Sequence, residues 1–277
     1  VIVFRVRLAG KEIVHTAAQF LFVCAIMAVR GAMGKGEPAR HSGMRVGKNR
    51  QGCSFPAPEI HVRVKVIKTR TERRKMCWIA TIPFDAATGK LKTLYQRVTG
   101  PDNNVDNIMM LHSLRPHTME GHMAIYKYVL HHSGNTIPKW FLEVLGVWVS
   151  ALNTCNYCVE HHFAGMKRLL GDDPRSDAIR AAIEARDVDA APLDDSQKAA
   201  MRYAQMLTQD PAALRKDDIE TLRAAGFDDG QILEINQVCA YFAYANRTVL
   251  GLGCSTDGDV IGLSPGNSQD PDDWSHA

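Results

Sequence analysis

The 277-residue sequence has few aromatic side chains, 7% in all, and after Pro83 no sustained alternation of apolar and polar positions. Half-buried strands need a period of two and favour aromatic and β-branched residues, so a sheet-based core is excluded there. The apolar run AAQFLFVCAIMAV, residues 17–29, stops at thirteen, where a membrane span needs about 20. Residues 31–75 contain no aspartate. Cysteine is too sparse for a disulfide scaffold: seven, an odd number, are scattered over a long chain. That usage predicts a reducing, cytoplasmic setting with one functional pair, Cys155 and Cys158, and several buried or idle thiols.

Charge divides the chain. Residues 1–75 carry 16 Lys and Arg against 4 Asp and Glu, and residues 76–277 carry 17 against 26. Such different balances predict two segments rather than one domain. The apolar run 17–29 follows Arg5, Arg7 and Lys11 like a signal-peptide core, but Glu12 and His15 precede it and Arg30 follows it directly. We expect 1–75 to be a basic N-terminal extension, disordered or non-native upstream sequence, with Met76 as the natural start. A signal, an anchor or a nucleic-acid-binding arm is the competing reading.

From Met76 onward the text is rich in Ala, Leu and Met and breaks at well-marked stops. Pro116 opens a helix to about 132, and Pro138 opens the nearly all-apolar WFLEVLGVWVSAL. Asn153 and Thr154 are placed to cap CNYCVEHHFAGMKRLLG, which Gly171 ends. Further helices are expected at about 176–186, 195–209, 216–225 and 229–250. Asp194 with Gln197, Asp217 with Glu220 and Asp228 with Gln231 have capping-box spacing. Gly226 and Gly251 suit helix ends. From Ser264 the polar, Pro- and Asp-rich text predicts a flexible tail, 264–277.

Chemistry concentrates in Cys155-Asn-Tyr-Cys158-Val-Glu-His-His162. Positions i, i+3 and i+7 share a helical face, so two sulfurs and an imidazole can meet. A thiolate, not a thiol, attacks a peroxide, and a helix N-terminus beside an imidazolium lowers a thiol pKa. Glu143 is the sole acid in 140–152, and a buried carboxylate there needs a partner such as His162. A CxxC alone is also compatible with a zinc half-site or coincidence. Zinc would need a fourth ligand, for which His161 points away and His112, His117, His122, His131 and His132 are the candidates. Cys239 reads as core and Cys254 as an incidental thiol.

A Glu twelve residues before CxxC, with a His four after it, resembles the alkylhydroperoxidase AhpD-like, carboxymuconolactone decarboxylase superfamily. The closer likeness is to its peroxidase-related branch. GPDNNVDNIMMLHSLRPHTMEGHMAIY, LHHSGNTIPKWFLEVLGVWVSALNTCNYCVEHHFAGM and AGFDDGQILEINQVCAYFAYANRTVLGLG carry the likeness, over about 80–260. The resemblance implies an all-α bundle of packed antiparallel helices, 76–263, in a homo-oligomer. It implies a thiol-dependent peroxidase without cofactor or metal. Cys158 would be the peroxidatic nucleophile, Cys155 the resolving thiol, and Glu143 with His162 the proton relay. Partners would be a hydroperoxide and a lipoyl or thioredoxin-like dithiol donor, with no nucleic acid and no membrane. The family often has His where this chain has Tyr157, so a second base there is not expected. A non-catalytic redox sensor and a decarboxylase-type enzyme on the same fold are the rivals.

Overall fold

The computed structural model describes residues 3–8, 11–16 and 76–277 apart from 101, 102, 267, 271 and 277. The chain divides into two compact units, Val1–Arg73 and Arg74–Ala277. In the first, β1 (Val3–Leu8) and β2 (Lys11–Thr16) pair antiparallel, Val3 opposite Thr16 and Leu8 opposite Lys11. The apolar run 17–29 lies outside the described residues.

The second unit is all-α, with no strand among its described residues. Its helices are α1 (Gly89–Val98), α2 (Asn107–Leu111), α3 (Pro116–Leu130), α4 (Lys139–Leu152), α5 (Asn156–Leu170), α6 (Asp173–Ala185), α7 (Asp195–Gln209), α8 (Lys216–Ala224) and α9 (Asp229–Leu252). None of the described helices is long and apolar enough to cross a membrane.

Local chemistry sets most of these boundaries. Asp194 and Asp228 accept from the backbone of Gln197 and Gln231, whose side chains return the bond, so α7 and α9 start on full capping boxes. For α8 the residue reaching back is Asp218, which accepts from Arg215 N at 2.7 Å, rather than the expected Asp217–Glu220 pair. Asp172 caps α6 by accepting from Arg175 N, which starts that helix three residues earlier than expected. Gly171 ends α5 at φ 66°, a left-handed conformation that costs glycine nothing. α9 runs through Gly251 and stops instead at Gly253, φ 62°.

α4 is the axis of the unit. Every residue from Phe141 to Ser150 is buried, and α5, α7 and α9 pack around it. Trp148 is fully buried and satisfies its indole N–H on Met201 O at 2.9 Å. Where α4 meets α9, Gly146 lets the Phe242 ring lie against the helix backbone.

The C-terminal residues, read from composition as a flexible tail, pack on the helices. Lys127 Nζ, fully buried, donates to Gly266 O at 2.6 Å and to Ser268 Oγ at 2.9 Å. Arg97 binds Asp272 Oδ1 at 2.7 Å and stacks over the buried Trp274 ring at 3.6 Å. Cations on α1 and α3 thus fix a segment whose own text is polar.

Candidate active site

The turn before α5 is built differently from the expectation. Thr154 does not cap; it takes φ 60°, and Cys155 becomes the N-cap residue. Cys155 N donates to Ser150 O at 2.8 Å, which locks the turn to the end of α4. Cys158 falls on the first turn of α5, and the two sulfurs are 3.1 Å apart as free thiols. Both are buried.

The two thiols differ in acidity because they differ in donors. Cys155 is held below the usual thiol range, first by its hydrogen bond with the Cys158 thiol and further by the Cys158 backbone and the Asn246 side chain, against the effect of burial. Cys158 is pushed well up, by its hydrogen bond with Cys155 and by burial. Of the two thiols Cys155 is therefore the more acidic, whereas the resemblance makes Cys158 the nucleophile.

Glu143 and His162 meet, as their positions on α4 and α5 allow. His162 Nδ1 lies 2.7 Å from Glu143 Oε2, with the carboxylate 1% and the imidazole 14% exposed. An imidazole bonded through Nδ1 has its other nitrogen free to handle a proton. The Phe242 ring stands edge-on to His162 at 4.5 Å and fixes its orientation.

Glu143, Cys158 and His162 all line one cavity of about 40 Å³, and Cys155 does not. That volume suits a few waters or a small polar molecule, since one water needs roughly 10–15 Å³ of such space. Asp106, His122, Tyr126, His161 and His276 line it too. Tyr157 donates its hydroxyl to Asp259 Oδ2 at 2.7 Å and accepts from Ile108 N at 3.1 Å. Burial and the Asp259 charge keep the phenol protonated, so it acts as a tie rather than a base. His161 stacks on Tyr157 at 4.5 Å and faces Asp259 Oδ2 at 3.2 Å.

Asp106, Asp259 and His276 escaped the sequence reading. They lie far from the CxxC motif in loop-like text, and no spacing rule links them to it. Among the described residues no group of three or more His, Cys, Asp or Glu is arranged to hold a metal ion. Cys239 is core, its thiol pushed up to about 12 by burial. Cys254 packs beside the pair, and burial raises its pKa also.

Comparison with protein-family models gives no match, and comparison with curated proteins gives none either. Solved structures do match. The AhpD core of an uncharacterized peroxidase-related protein from Ralstonia eutropha JMP134 is 20% identical, covers 66% of this chain and 93% of its own, and has a TM-score of 0.58. An uncharacterized peroxidase-related protein from Silicibacter sp. TM1040 is 22% identical over 68% and 96%, with a TM-score of 0.55. A variant of the debrominase Bmp8, in complex with 2,3,4-tribromopyrrole, is 16% identical over 65% and 92%, with a TM-score of 0.52. At such identities the likeness is one of architecture: the helical unit of this chain has the AhpD-like fold.

Proposed function

We propose that the chain is a thiol-dependent peroxidase of the AhpD-like superfamily, acting on small hydroperoxides. The observation that carries this reading is the cavity in which a thiol of a close-set pair and a carboxylate-bound imidazole line the same small space. His162, oriented by Glu143, takes the proton of the pair. With the remaining proton moved to Cys155 across 3.1 Å, the Cys158 thiolate attacks the terminal peroxide oxygen. The S–O bond forms, the O–O bond breaks, and alcohol or water leaves. Cys155 then displaces hydroxide from the sulfenic acid as water, giving a disulfide. A lipoyl or thioredoxin-like dithiol reduces it, as expected in a reducing cytoplasm.

The acidity difference favours a second assignment, Cys155 as the sulfur first oxidised. Cavity lining supports Cys158, because an attacking atom must touch the peroxide. The debrominase with this fold raises another substrate class, halogenated aromatic rings. We also propose a homo-oligomer: α3 exposes Ile125 and Tyr128, and α9 exposes Leu233, Tyr244 and Leu250.

The test is turnover of tert-butyl hydroperoxide with dihydrolipoamide as reductant. Multiple turnovers that vanish in Cys158→Ser support the reading. A single oxidation without recycling would leave a redox sensor instead, and unchanged turnover in Cys158→Ser would remove Cys158 from the chemistry.

A further inference from the structure

Peroxide reduction at Cys158 makes two separate demands on protons. One must leave the thiol, and one must reach the oxygen expelled from the broken O–O bond, which is otherwise a strongly basic alkoxide. Glu143 and His162 meet the first demand. We propose that His276, carried into the cavity by the C-terminal segment and held there by Asp106, meets the second by protonating the leaving oxygen. This rests on the peroxidase reading of the same site.

The segment is anchored as a wall of the site rather than hanging over it. Arg168 donates to Gly262 O at 2.6 Å and to Ser264 Oγ at 3.0 Å, Lys127 holds Gly266, and Arg97 holds Asp272. Gly262, Leu263, Ser264 and His276 line the cavity together with Cys158. At the end of the segment His276 Nδ1 lies 3.2 Å from Asp106 Oδ2, their side chains 3% and 6% exposed. A buried polar group is costly unless a partner faces it, so Asp106 and the Nδ1 side of the His276 ring hold each other in place.

His276 Nε2 and Asp106 Oδ1 are buried without a hydrogen-bond partner, and both residues line the cavity. Buried polar atoms of native proteins are nearly always satisfied, so these two call for a polar occupant. His161 Nε2 and His122 Nδ1, on the same cavity, are likewise buried without a hydrogen-bond partner, but the other imidazoles are less suited to donate a proton. His162 serves Glu143, and His161 is stacked on Tyr157 and faces Asp259. Burial lowers the pKa of His122 to about 3, which leaves it neutral.

In the balanced step, the Cys158 thiolate gives two electrons to the terminal oxygen, forming S–O while O–O breaks. The second oxygen departs with that bonding pair and takes the proton from His276 Nε2, leaving as alcohol. The neutral imidazole regains a proton from water, and the proton taken from the thiol leaves through His162 to water.

Leaving-group dependence tests this, since only a proton donor to the departing oxygen makes the rate loss depend on that oxygen's basicity. Single-turnover oxidation of the full chain by tert-butyl hydroperoxide, which expels an alkoxide, is compared with oxidation by peracetic acid, which expels the far weaker base acetate. His276→Gln is expected to lose about 100-fold on the alkyl hydroperoxide and at least tenfold less on the peracid. Asp106→Asn should shift the same ratio in the same direction. Equal losses on both oxidants would make His276 a structural residue, and no loss on either would remove it from the reaction; each overturns the proposal. A wild-type chain inert toward both oxidants would instead overturn the peroxidase reading, and the proposal with it.

Discussion

Gly146 is the point where packing and chemistry in this fold depend on one missing methyl group. A Cβ there would lie 2.1 Å from Phe242 Cε2 and 2.2 Å from Cζ. Carbon atoms in contact sit about 3.5–4.0 Å apart, so the ring would have to retreat by roughly 1.4 Å or more. Phe242 is fully buried and cannot swing into solvent. Overpacking of this kind costs about 1–3 kcal/mol. For a domain of about 150–250 residues each kcal/mol moves Tm by about 2–4 °C, so Gly146→Ala should melt about 2–12 °C lower. The edge contact at 4.5 Å transmits the shift to His162, so thiol oxidation should slow as well. Circular dichroism melts and peroxide-dependent thiol loss read the two effects. Phe242→Leu in the Gly146→Ala background should recover part of the Tm, because the two sites share one space. A Tm within about 1 °C of wild type would refute the packing argument.

The site makes three further outcomes expected. Glu143→Gln keeps the shape but removes the charge that holds His162, and should slow oxidation by about 10²–10⁴-fold; a rate equal to wild type would break the relay. Cys155→Ser should leave a Cys158 sulfenic acid that a dimedone-type probe traps, whereas trapping only in Cys158→Ser would reverse the two cysteine roles. Burial lowers His112 to about 4 and His122 to about 3, from 6.5. Folded pKa values below the unfolded ones contribute stability that is present above pH 6.5 and lost as pH falls through the folded values. At pH 5 each histidine should therefore have removed about 2 kcal/mol. Urea midpoints at pH 7 and pH 5 would show it, and His122→Gln should flatten the drop; an unchanged slope would contradict the assignment.

Much of the fold could be read from local chemistry. The boxes Asp194–Gln197 and Asp228–Gln231, and Gly171 at a helix end, act within a few residues and are visible as spacing. The lone acid of an apolar helix and a His seven residues after Cys155 also pointed at each other, and Glu143 and His162 lie 2.7 Å apart. Features set by tertiary contact were not legible. The tail was judged by its composition, while its packing comes from Lys127 and Arg97 on distant helices. Asp106 and His276 are 170 residues apart in sequence and meet only through that packing. Cys155 stands in the cap position rather than within the helix, a distinction of one residue that CxxC spacing does not reveal.

The most direct test of the central claim is the mass of the Cys155–Cys158 peptide after one equivalent of tert-butyl hydroperoxide, taken without reduction. The peptide is expected to lose two hydrogens, to regain them with dihydrolipoamide, and to do neither in Cys158→Ser. A peptide that stays fully reduced while another cysteine is oxidised, or a Cys158→Ser protein that consumes peroxide at the wild-type rate, would contradict it.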